Sequence, residues 1–217
     1  MVSGRGRWGL LAAALALGWA APAAAQSFEF LFRDGAARDD EQAFLRLAVT
    51  DSGHSRRSLE PLLPRLKRVA DDLPVALFVA RESGRPLSAI VDLRAKGLSW
   101  SVILGRVEVS TERLFGGLER DPGPPYGKAW GYWRKHGRKS RLDDDDVALL
   151  ARLQIGGRVS GLSPGELARQ ARKGRGVESV VTERKGRGRG GPPADTPERG
   201  KGKGKGKNKK DKGRGRS

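Results

Sequence analysis

Cysteine is absent from the 217 residues, and only two histidines and one methionine occur. No disulfide, thiolate metal site or cysteine nucleophile can therefore form. His54 and His136 lie in different segments, without H-x3-H or H-E-x-x-H spacing, so no zinc site is expected. No Walker or Rossmann glycine pattern follows a strand-like segment. The sequence points to no catalytic residue, no cofactor and no small-molecule substrate, and an enzyme is the least supported class. Acidic residues are also scarce: 25 Asp+Glu face 43 Lys+Arg, leaving a net charge of +18. Beyond the first 25 residues no apolar stretch approaches a membrane-spanning length.

The two ends differ sharply in composition. At the start, "MVSGRGRWGLLAAALALGWAAPAAAQ" carries Arg5 and Arg7, an apolar run from Trp8 to Ala20, then Pro22 and three alanines. This is the three-part pattern of a secretory signal, with cleavage expected between Ala25 and Gln26. An uncleaved anchor is the competing reading, because Trp8 to Ala25 is nearly long enough to span a bilayer. Gly18, Pro22 and the small terminal residues favour cleavage, leaving an exported protein of the periplasm, cell envelope or medium. At the other end, Thr182 to Ser217 holds fourteen Lys/Arg against four Asp/Glu, ten of the eighteen net charges. Its last part, "KGKGKGKNKKDKGRGRS", has no aliphatic or aromatic side chain. Such a segment cannot bury enough surface to offset its ordering entropy, so residues 182–217 read as a disordered basic tail. Lys201, Lys203, Lys205, Lys207, Lys209 and Lys210 make it a polycation suited to nucleic acid, anionic lipid head groups or acidic envelope polymers. A purely solubilising tail is the plainer reading.

Between the ends, three stretches share one plan: Ala43 to Leu62, Val75 to Gly97, and Val147 to Gly174. Each has an apolar segment, a Ser-Gly pair (Ser52-Gly53, Ser83-Gly84, Ser160-Gly161), and a second amphipathic segment. The second and third also match at Lys96-Gly97 and Lys173-Gly174, at the same offset of 77 residues. The periodicity is helical, as at Ala89, Ile90, Leu93 and Gly97. Glycines after such runs serve as left-handed helix stops. Ser163-Pro164-Gly165-Glu166 predicts a helix start, and Asp143 to Asp146 an acidic first turn stabilised by the helix dipole. A calcium site is the sharper reading of the four aspartates, but the alternating ligands and glycine of a calcium loop are missing. The fold expected is a mainly α, small bundle of short helices in degenerate helix–SG–helix repeats. The divisions are a signal at 1–25, a lead-in or short strand at 26–37 ("SFEFLF" alternates like a strand), and a first helical half at 38–118. An aromatic and basic connecting segment follows at 119–142, then a second helical half at 143–181 and the tail.

Three local patterns invite chemistry. Asp51-Ser52-Gly53 looks like the triplet of aspartic proteases and of subtilisin-like enzymes, but no partner motif follows, and a helix ending at Ser-Gly explains it. Val91 to Ser110 is similar to a helix-turn-helix of the resolvase and sigma-factor type, carried by Gly97, Ser99, Ile103, Leu104, Val107, Glu108, Val109 and Ser110. Thr111 to Leu118 would be its recognition helix. Glu108 stands where that turn usually has glycine, and Leu104 where a small alanine is usual. The most distinctive stretch is "PGPPYGKAWGYWRKHGRK", in which Tyr126, Trp130, Tyr132 and Trp133 alternate with Lys128, Arg134, Lys135, His136, Arg138 and Lys139. In a helix Tyr126, Trp130 and Trp133 share a face. Rings beside cations suit stacking on bases or sugars with the cations on anionic groups; packing of the rings as core is the competing expectation.

The order of these features, with "LRAKGLSW" from Leu93 to Trp100 and "GPPYGKAWGYWRKH" from Gly123 to His136, resembles a family of uncharacterised exported bacterial proteins. The resemblance implies a bacterial envelope protein and no particular activity. Binding of an anionic polymer through Tyr126–Lys139 and the tail is the function expected. A structural or scaffolding envelope protein that binds another protein is the first alternative, and a helix-turn-helix DNA-binding protein the second.

Overall fold

A computed structural model describes residues 39–172 and 175–189. Among them are nine α-helices, three short 3-10 turns and no strand. The helices are α1 (Asp40–Asp51), α2 (Arg56–Leu59), α3 (Val69–Ser83), α4 (Leu87–Ala95), α5 (Trp100–Arg106), α6 (Gly127–His136), α7 (Asp144–Ser160), α8 (Pro164–Ala171) and α9 (Val177–Arg189). The expected mainly α bundle is what forms. Ala25, Gln26, the 26–37 segment and the six tail lysines from Lys201 to Lys210 lie outside the described residues.

The repeat reading is visible in the backbone. Gly53, Gly84 and Gly161 take φ of +71, +67 and +72, the left-handed conformation that stops a helix and that glycine adopts without a Cβ penalty. Two of the preceding serines also match: Ser83 Oγ donates to the Val79 carbonyl at 2.7 Å and Ser160 Oγ to the Gly156 carbonyl at 2.6 Å. The α3–Gly84–α4 and α7–Gly161–α8 units coincide at the 77-residue offset, and α3 and α7 form the central pair of the bundle. Helix α9 packs against α1, α7 and α8. From Asp72 to Ala80 every residue of α3 is buried, so this helix is the hub of the core.

The helix starts follow the expected chemistry. Ser163 Oγ accepts from the Glu166 amide with Pro164 at the first helical position, and Asp143 Oδ1 accepts from the Asp146 amide at 2.7 Å. Asp144 and Asp145 are engaged elsewhere, with Arg94 and Arg68. Asp51 ends α1 and pairs with Arg158 at 3.0 Å.

Two expectations need correction. Helix α9 continues from Val177 through Thr182 to Arg189, so the boundary at 181/182 falls inside a helix. Thr182 Oγ1 donates to Asp40 at 2.8 Å and Arg184 Nε to the Ser160 carbonyl at 2.9 Å, tying this glycine-containing turn to α1 and α7. Thr111 to Leu118 is not an α-helix. Thr111–Phe115 is a 3-10 turn whose Leu114 and Phe115 are buried, leaving few outward side chains for a groove. The turn before it is nonetheless formed: Glu108, where glycine is usual, has a φ of +59.

Candidate polyanion-binding face

Helix α6 begins after Pro124-Pro125 and ends at Gly137. Its aromatic stripe forms as the spacing predicts, and it faces inward. Tyr126 is 3% exposed and Trp130 7%. Trp133 is half-buried and stacks on Phe115 with centroids 4.6 Å apart and planes at 18°. Trp130 meets Phe115 edge-on at 6.0 Å and Trp133 at 5.1 Å. These three rings join α6 to the 3-10 turn at Thr111–Phe115 and to the core, and leave Tyr126 and Trp130 no open face for a polymer.

The rest of the circumference of α6 is where cations and rings are exposed. Lys128, Tyr132, Arg134, Lys135 and His136 lie outward on α6, followed by Arg138 and Lys139 in the 3-10 turn Gly137–Lys139, and by Arg141. Tyr132 is 41% exposed and packs on the His136 ring at 4.4 Å. Lys128 lies 3.7 Å from Asp143 and Arg138 3.4 Å from Glu112. Arg134, Lys135, Lys139 and Arg141 make no ion pair with a described carboxylate, and Arg134 sits over Trp130 at 5.9 Å. The exposed surface of this segment therefore offers the Tyr132–His136 ring pair and, at other positions on α6 and in the chain just after it, four cations without a described carboxylate partner. Tyr132 is the ring that the stripe argument passed over. Its signal was its place off the 126–130–133 face.

Two buried polar networks join the other helices of the bundle. Asp72, fully buried in α3, accepts from Arg94 Nε at 3.0 Å, from Trp100 Nε1 at 3.1 Å and from the Arg68 amide at 3.2 Å. Arg94 also donates to Asp144 at 2.7 Å, and Asp144 accepts the Trp100 amide at 2.7 Å, a first-turn N–H of α5 without a helical partner. The Leu93–Trp100 motif is thus a clamp joining α3, α4, α5 and α7. The second network centres on Arg152, 8% exposed in α7. It donates to Glu41 at 2.9 Å, to Glu178, and to the Ala70 carbonyl at 2.8 Å. Pro74 has no N–H for that carbonyl one turn earlier, so the guanidinium replaces the donor that the proline removes. Burial works against the charge of Arg152, but Glu41 and Glu178 outweigh it and hold its pKa above the ordinary value. The signal for this residue was a lone arginine within the apolar run "VALLARLQI".

Tyr126 lies near Arg152 and Glu178. Burial pushes its phenol well above the usual value; the Glu178 charge adds to this and the Arg152 charge opposes it. A raised folded-state pKa favours the folded state while the phenol is neutral. That contribution is whole below about pH 10 and is lost as pH rises through the raised value. Tyr126→Phe removes the effect. The urea midpoints of the two proteins should run parallel to about pH 9, and by pH 11 the parent should have lost about 1.4 kcal/mol relative to the variant. A gap unchanged from pH 9 to 11 would mean that the phenol ionises freely in the fold.

No helix among the described residues is long and apolar enough to cross a membrane, and no group of three His, Asp or Glu among them is placed to hold a metal ion. No family model, curated protein or solved structure matches this chain.

Proposed function

We propose that this is an exported basic helical protein that binds an anionic polymer through the outer face of α6, with the lysine-rich tail as a second, non-specific contact. The observation that supports this most is the exposed Tyr132–His136 ring pair on a segment that also carries Arg134, Lys135, Lys139 and Arg141, four cations without carboxylate partners among the described residues. Rings stack on sugars or bases, while cations displace counterions from the polymer. The helix-turn-helix reading finds little support in a five-residue 3-10 turn with two buried side chains.

The two contacts have different salt signatures. On a labelled single-stranded oligonucleotide, log K falls with log salt by about 0.7 per neutralised phosphate. Replacing Lys201, Lys203, Lys205, Lys207, Lys209 and Lys210 by glutamine in the full chain should flatten the slope by up to about 4. Tyr132→Ala with His136→Ala should leave the slope and the helical spectrum unchanged and weaken binding by about 1–3 kcal/mol per stacked ring. Unchanged affinity in the ring variant would remove α6 from the binding surface and leave the tail alone. Unchanged affinity in both would end the proposal.

A further inference from the structure

A concave, arginine-lined surface shares no residue with the outer face of α6. It is an open cleft of about 610 Å3 between the 117–122 segment and α8. Arg120 comes from the segment, Arg169 from α8 and Arg172 from the C-cap of that helix, three residues on. None of the three makes an ion pair with a described carboxylate, although Glu119, Asp121 and Glu166 line the same cleft. Two of those acids are engaged otherwise: Asp121 accepts the Gly123 amide at 2.7 Å, and Glu166 accepts from Gln170 at 3.4 Å. By contrast Arg94 and Arg152, in the core, each bind at least two carboxylates.

Gly117 and Gly123 have φ of +72 and +68, and at Gly117 the missing Cβ is what lets the segment close on α8. A Cβ on Gly117 would stand 2.8 Å from Pro164 Cδ, and one on Gly123 would stand 2.4 Å from Arg172 Nη1. The Arg172 guanidinium therefore lies close to the backbone of the Gly123 turn. Guanidinium forks bind oxyanions bidentately, and a tetrahedral phosphate has enough oxygens for three of them, whereas a carboxylate has two.

We propose that the cleft between the 117–122 segment and α8 is a phosphate-binding site, with Arg120, Arg169 and Arg172 as its ligands. The site is independent of the α6 reading. Its phosphate can come from a nucleic-acid end, from a lipid head group or from the free ion, and these sources are separable. Inorganic phosphate should raise the melting temperature of the full chain above that in sodium chloride of equal ionic strength. Arg120→Gln/Arg169→Gln/Arg172→Gln should abolish the difference, while Arg134→Gln/Lys135→Gln/Lys139→Gln should keep it. If the triple arginine variant does not fold, Arg120→Gln alone, on the segment opposite α8, should still reduce phosphate affinity several-fold. A 5′-phosphorylated oligonucleotide binding more tightly than its unphosphorylated form identifies a nucleic-acid end. Phosphatidylglycerol vesicles that compete with inorganic phosphate identify a lipid. Competition by neither leaves the free ion as ligand. No specific effect of phosphate on the parent chain, or an equal effect in the cleft variants, would overturn the proposal. The α6 reading would stand, because the ring variant tests it separately.

Discussion

Asp72→Ala is expected to lower the unfolding free energy by about 3–5 kcal/mol, the range for removing one partner of a buried ion pair. The carboxylate has no solvent exposure and receives three donors, from Arg94, Trp100 and the Arg68 amide. Its removal strands the Trp100 indole N–H inside the core and leaves Arg94 with Asp144 as its remaining carboxylate. Asp72→Asn retains an acceptor and should cost less. Urea unfolding measures both, and a double-mutant cycle with Arg94→Met should show coupling above about 1 kcal/mol, because the two side chains share one network. A loss below 1 kcal/mol for Asp72→Ala would mean that water replaces the missing carboxylate, and the clamp would not be what joins α3, α4, α5 and α7.

Trp130→Ala should cost about 3–5 kcal/mol as a large-to-small change in a packed core. The ring is 7% exposed and lies against Phe115 and Trp133. Trp133→Ala, at a half-buried position, should cost less, and Tyr132→Ala, on the solvent side, should stay within about 0.5 kcal/mol. Thermal unfolding of the three variants ranks them directly. The ranking also decides how a loss of polymer binding is read: in Trp130→Ala it should follow the fraction unfolded, and in Tyr132→Ala it should appear in a fully folded protein. A stable, fully helical Trp130→Ala protein would show that the ring is not core.

Much of the local structure was legible because it depends on neighbours in sequence. Ser-Gly pairs ended helices at Gly53, Gly84 and Gly161 because only the missing Cβ makes φ near +70° inexpensive. Ser163 and Asp143 started helices because a short side-chain oxygen satisfies an amide three residues on. The 77-residue offset told of two like helix pairs before their packing was known. The end of α9 was not legible. Glycines and bases from Thr182 onward read as tail, and the contacts that hold the helix, Asp40 and the Ser160 carbonyl, are distant in sequence.

The sequence by itself determined that Tyr126, Trp130 and Trp133 share one face of a helix, since a 3.6-residue period requires it. It could not determine which way that face points. Phe115, nearest the stripe, sits in a segment that reads as a recognition helix, and its burial depends on how the 3-10 turn closes on α6. Period fixes the angular position of side chains around an axis, whereas orientation of the axis is set by the total apolar area that all elements can bury together. The same holds for Asp72, Arg94 and Arg152. Their residue types were plain, but their roles came from partners up to 111 residues away, and a buried charge persists only where such partners meet it.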